Sequence, residues 1–151
     1  MNFDSILVYI SQNPILGLLT LFFLCFLSAT ILPFPSEVFF ITYIEIFKNY
    51  KFIALITASL GNTLGGISSY ILGYIIYNNL TKSKENKILT SKGYIYVKKY
   101  GSLCLVFSWL PIIGDVFCIC AGYLKINFYQ SLFFILLGKF LRYYFILYFL
   151  S

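Results

Sequence analysis

The sequence predicts an all-α polytopic membrane protein built from two opposed re-entrant, proline-broken helical hairpins, each followed by a transmembrane helix. Composition is the first reason. Of 151 residues, 60% are hydrophobic, with eleven basic and five acidic residues and no histidine, whereas a water-soluble domain carries about a quarter charged residues. The length of the apolar runs is the second. Ile15–Leu32, Phe52–Tyr77 and Ile126–Leu150 extend over 18, 26 and 25 residues, and about 20 cross a bilayer core. The third is that prolines cut the remaining apolar sequence into pieces too short to span.

Along the chain, Phe3–Ile10 is a short apolar stretch broken by Ser11-Gln12-Asn13-Pro14. Asn13 fits an N-cap and Pro14 the first helical position of a helix running to Leu32. Pro33 and Pro35 then remove amide donors and disfavour helix in the residues before them, so the helix must break. Val38–Phe47 has ten residues, about 15 Å at helical rise, and is expected to turn back or pack inside. Phe52–Tyr77 is long enough to cross with tilt. It carries Gly61, Gly65, Ser69 and Gly73, a small residue at every fourth position, which opens one stripe to close approach by another helix. Packing is the main reading of that stripe and a flexible gate the alternative. Tyr100–Leu110 and Val116–Leu124 are again short, separated by Pro111-Ile112-Ile113-Gly114-Asp115. Lys125-Ile126-Asn127 opens the last helix, with Asn127 and Gln130 spaced like an N-cap and its reciprocal partner.

The order of these pieces repeats. Leu32, Pro33, Val38 and Phe39 recur as Leu110, Pro111, Val116 and Phe117 at an offset of 78, which sets Glu37 against Asp115. At an offset of 77, Leu60-Gly61 and Leu64 recur as Leu137-Gly138 and Leu141. The organisation is a single membrane domain over residues 1–151, with a first repeat at 14–79, a Lys-rich loop at 80–99 and a second repeat at 100–150. A hairpin that enters and leaves on one face, followed by one crossing, delivers the second hairpin to the opposite face. Inverted repeats with broken helices meeting at the midplane are a transporter architecture. Non-helical backbone at membrane depth must be buried or face a water-filled cavity, so the two breaks should face each other.

Charge orients this arrangement. Lys82, Lys84, Lys87, Lys92, Lys98 and Lys99 crowd Leu80–Lys99, which places that loop in the cytoplasm. The N-terminus lacks a basic region before its first apolar run, which argues against a cleaved signal peptide. Cys25, Cys104, Cys118 and Cys120 sit in apolar runs without a CxxC pair, so small buried hydrophobes are expected, with no metal site and no cofactor. Without histidine or a serine or cysteine dyad, the chain is read as a non-enzyme, a carboxylate being the one general base left to it.

Lys139 and Arg142 fall in the middle of the last helix. Three residues apart, they share a face, and each costs on the order of 2.5–3.5 kcal/mol at a span centre. Such a cost calls for partners, and Glu37 and Asp115 at the two breaks are the obvious ones, with Glu45 nearer an interface. Two readings follow. Either an anionic head group contacts Lys139 and Arg142 while Glu37 and Asp115 exchange protons, or the four charges only lock the fold. The chain uses ten lysines and one arginine, so Arg142 stands against a compositional bias, which points to a need for its planar fork. Tyr143 and Tyr144 beside it stand out from aromatic residues otherwise read as lipid-facing.

The strings Leu32-Pro33-Phe34-Pro35-Ser36-Glu37, Gly61-Asn62-Thr63-Leu64-Gly65-Gly66, Phe107-Ser108-Trp109-Leu110-Pro111-Ile112-Ile113-Gly114-Asp115, Ala121-Gly122-Tyr123 and Gly138-Lys139-Phe140-Leu141-Arg142-Tyr143 together resemble the DedA superfamily, also called VTT or SNARE-associated-Golgi domain proteins, and most closely its short YqaA branch. The resemblance covers roughly Leu27 to Tyr144. It implies two opposed re-entrant hairpins, a bacterial inner-membrane location and a role in moving lipids, including undecaprenyl phosphate or phospholipids, coupled in some members to the proton motive force. The second hairpin departs from better-studied members, with Asp115 in place of an arginine-rich Pro-Gly motif. The expected function is thus translocation of a lipid or small anion through a midplane polar site, with a structural or assembly protein as the alternative. Expected partners are membrane lipids, anionic or phosphate-bearing ones included, and protons; a homo-oligomer is allowed and nucleic acid is not expected.

Overall fold

A computed structural model describes residues 13–30, 35–79, 92–110 and 113–150. Pro33, Pro111 and most of the lysine loop lie outside the described residues. The described residues are helical, in the order α1 (Pro14–Ser28), α2 (Ser36–Ile46), a 3₁₀ turn (Lys48–Tyr50), α3 (Lys51–Asn79), α4 (Lys92–Tyr100), a 3₁₀ segment (Gly101–Trp109), α5 (Ile113–Tyr123) and α6 (Phe128–Leu150). Among the described residues, two stretches are long and apolar enough to cross a membrane, Lys48–Tyr77 and Phe128–Leu150. Their 30 and 23 residues extend about 45 and 35 Å at helical rise.

Several boundaries differ from those the sequence suggests. The first helix ends at Ser28 and not Leu32, because Ala29 and Thr30 bond back to Phe26 and Leu27 in a tightened last turn. Within the supposed loop, Lys92–Tyr100 is a helix. Val97 is fully buried and the Tyr94 ring packs edge-on against Tyr123, so burial on one side outweighs its lysines. Gly101 ends α4 at φ 63°, a left-handed conformation that glycine adopts without a Cβ clash, and the chain continues as a 3₁₀ segment. The last helix begins at Phe128, one residue after Asn127, whose Oδ1 accepts the amides of Tyr129 and Gln130.

The two broken pieces approach α3 from its opposite ends. On the first side, Tyr43 Oη donates to Pro14 O and Gly17 sits against Tyr43 and Phe47, so the start of α1 and the end of α2 meet near the start of α3. On the second side, Tyr77 at the end of α3 packs against Tyr123 at the end of α5. The small-residue stripe of α3 serves both. A Cβ at Gly61 would strike the Phe22 carbonyl, one at Gly65 would strike Ala29, and Ser69 Oγ donates to Ala29 O at 3.3 Å, all on the α1 side. Gly73 lies against the Ile119 carbonyl of α5, where Gly122 returns the contact on the Tyr70 carbonyl. Close backbone packing is what the stripe does here.

Helices α3 and α6 run antiparallel. Asn62 meets Tyr143, and one turn further along α3, Gly66 meets Lys139 one turn back on α6. Shifting Asn62 and Gly66 by 77 gives Lys139 and Tyr143. Each contact is therefore the other with its halves exchanged, as a two-fold relation between the repeats requires. Large apolar side chains stand exposed on every described α-helix, Phe52, Tyr129 and Phe149 among them, whereas Ser36, Asn62, Ser108 and Lys139 are buried. An apolar outer surface with its few buried polar side chains turned inward is the arrangement a lipid solvent selects.

Candidate functional site

All four charges named from sequence converge on α6. Lys139, 2% exposed, places Nζ 3.2 Å from Asp115 Oδ1 in the first turn of α5. Arg142 pairs through Nη2 with Glu37 Oε1 in the first turn of α2. Each acid thus also lies where the positive end of its helix dipole favours a carboxylate. The pairing follows from geometry, since the three-residue spacing puts both cations on one face of α6 while the acids arrive from different helices, α2 and α5. Glu45 lies instead beside Lys48 and Tyr50 at the outer end of α2.

A buried chain of hydrogen bonds runs beside the Arg142–Glu37 pair. Asn62 Nδ2 donates to Tyr143 Oη at 2.8 Å, and Tyr143, fully buried, has Ser36 Oγ at 3.0 Å and Cys25 Sγ at 3.4 Å as acceptors for its single proton. One tyrosine therefore ties α1, α2 and α3 to α6. Asn62 Oδ1 is buried without a hydrogen-bond partner among the described residues. Of this network the sequence picks out Tyr143, and Cys25 reads there as a plain hydrophobe.

On the outer side, Glu37 and Arg142 head an open cavity of about 590 Å³ walled by Ile41, Trp109, Phe145 and Phe149. Trp109 ends the 3₁₀ segment just before the second break, so residues flanking both breaks line one space. Sequence reasoning passed over Trp109, the chain's lone tryptophan; the signal available was its position two residues before Pro111. Pro35 is the N-cap residue of α2. Gly114 lets α5 start against the Ser108 carbonyl, and Gly138 brings α6 against the same segment. Pro33 and Pro111 lie outside the described residues. All four cysteines are buried and none forms a disulfide, and no cluster of three metal-ligating side chains occurs among the described residues.

Residues 34–151 match the family model described as the VTT domain. The chain belongs to the VTT-domain (DedA) family. This bears out the resemblance carried by the proline breaks and the Gly138–Tyr143 string. Among VTT relatives it is 38% identical to the inner membrane protein YqaA of Escherichia coli (strain K12) over 132 residues, 87% of this chain and 89% of that protein. It is also 38% identical to an uncharacterized protein of Haemophilus influenzae over 130 residues, 82% of this chain and 80% of the other. A third, from Methanocaldococcus jannaschii, is 27% identical over 127 residues, 83% of this chain and 79% of that one. No solved structure matches significantly.

Proposed function

We propose that this VTT protein is a multi-pass inner-membrane translocator of a lipid or small anion, in which α1–α2 and the 3₁₀ segment with α5 are re-entrant hairpins from opposite faces. One observation carries the reading: Arg142 and Glu37 stand at the head of a cavity whose other walls are apolar and aromatic. An amphiphile fits such a space, with its anionic head on the guanidinium and its apolar part along Ile41, Phe145 and Phe149. For the head to bind, Glu37 must leave Arg142 or lose its charge, and protonation of Glu37 does the second. Proton uptake and anion binding are then linked through one side chain. The name of the relative YqaA supports the inner-membrane location.

A fold-locking role is the second reading, favoured by the fact that both cations already have carboxylate partners. Arg142→Lys separates the two. It keeps the charge and loses the planar fork, so a translocator loses most leaflet exchange of a head-group-labelled lipid in reconstituted vesicles at unchanged membrane abundance. Full activity of Arg142→Lys removes the phosphate-fork assignment. For a lock, Arg142→Ala lowers abundance and a second change, Glu37→Gln, restores abundance and complementation of a deletion strain together; a head-group site regains abundance alone.

A further inference from the structure

A second groove of different chemistry lies at the junction of α4, the 3₁₀ segment and α5. Tyr96, Tyr100, Leu103, Phe107, Leu110 and Phe117 line a space of about 370 Å³, within the size range of small-ligand sites. None of its lining residues is charged, and none is shared with the Glu37–Arg142 cavity. The wall on α4 is well defined. Tyr96 and Tyr100 stack with centroids 6.5 Å apart at 16°, and Cys104 Sγ donates to the Tyr96 carbonyl at 3.2 Å.

Charge stands at the α4 end. Lys92, Tyr96, Lys99 and Tyr100 share a helix face by their three- and four-residue spacing, and the Lys99 ammonium lies 5.0 Å from the centroid of the Tyr100 ring. Helix α4 carries Lys92, Lys98 and Lys99 and no acid. Beyond it the groove continues over Leu103 and Phe107, both more than half exposed. A site positive at one mouth and apolar along its length has the polarity of an anionic lipid. A soluble anion has nothing to place along the apolar floor, and a peptide would find no partners there for its backbone.

We infer that this groove holds one anionic phospholipid of the cytoplasmic leaflet, its phosphate at Lys99 and Lys92 and an acyl chain along Leu103, Phe107 and Phe117. The lipid is resident at this site, and its binding does not depend on the translocation proposed for the other cavity.

The test uses the whole protein in phosphatidylcholine vesicles containing a trace of phosphatidylglycerol with a photoactivatable acyl chain, or the same probe on phosphatidylcholine. Adducts mapped by peptide are expected on Gly101–Leu110 and at Phe117. Each lysine near a membrane surface favours an anionic lipid by about fivefold, so phosphatidylglycerol should label above phosphatidylcholine by at least that factor. Lys92→Gln with Lys99→Gln, two exposed changes that leave the fold alone, should bring the two probes to parity. Leu103→Trp should fill the groove and lower both, and Arg142→Lys should change neither. Excess glycerol phosphate should leave the adducts in place. Adducts spread evenly over the apolar surface, equal labelling by the two lipids in the unmodified protein, or displacement by glycerol phosphate would each overturn the inference.

Discussion

At the offset that superposes the repeats, α3 carries Asn62 and Gly65 where α6 carries Lys139 and Arg142. The two helices run antiparallel to each other, α3 following α2 and α6 following α5 in the chain. Yet α3 is lined with small residues that admit the backbones of α1 and α5, and α6 carries the cations that the acids of α2 and α5 address. One repeat thus supplies close packing and the other supplies charge. A few side chains divide the labour between two helices of like geometry.

The largest effect expected from disturbing this division lies at Asp115. Lys139 is almost wholly buried, so Asp115→Asn strands a charge and should cost about 3–5 kcal/mol, read as a shift in the denaturant midpoint of the purified protein. Glu37→Gln leaves Arg142, 13% exposed and facing an open cavity, and should cost clearly less. Equal losses would show that the two pairs are not differently buried. Adding Lys139→Met to Asp115→Asn should recover most of the stability.

On the packing side, Gly73→Ala drives a methyl into the Ile119 carbonyl of α5 and should cost about 1–3 kcal/mol as overpacking. Gly66→Ala meets the Ile135 and Lys139 side chains, which can give way, and should cost less by the same measurement. The reverse order would sink the view that backbone approach is what the stripe protects. The smallest change concerns the hydroxyl network shared by both halves. Tyr143→Phe removes its contacts to Asn62, Ser36 and Cys25 and should cost about 1 kcal/mol, as single polar contacts between membrane helices do.

Much of this was legible in the sequence. The long helices, the proline breaks and the need of Lys139 and Arg142 for carboxylates follow from bilayer thickness and the cost of a buried charge. Which acid serves which cation did not follow, because that depends on where along α6 the first turns of α2 and α5 arrive. Helix α4 was hidden by its lysines; what stabilises it is Val97 and Tyr94 packing on α5, a tertiary contact that local polarity cannot report. Ser36 and Cys25 were missed for a similar reason, since neither pattern nor composition reveals that they converge on the Tyr143 hydroxyl 107 and 118 residues away.

The placement of both cations on α6 also bears on how the molecule is made. Glu37 emerges from the ribosome 105 residues before Arg142, so the first repeat is made before the cation that pairs with its Glu37. Residues 100–150 carry Asp115 and three cations, Lys125, Lys139 and Arg142, of which Lys139 pairs with Asp115 and Arg142 is left over for Glu37. Two copies of the first repeat would oppose carboxylate to carboxylate, and two copies of the second would oppose surplus cations. Only the unlike halves neutralise each other, so the same residues that meet in the finished site also bias a newly inserted repeat toward its own chain's other half over a neighbour's identical one.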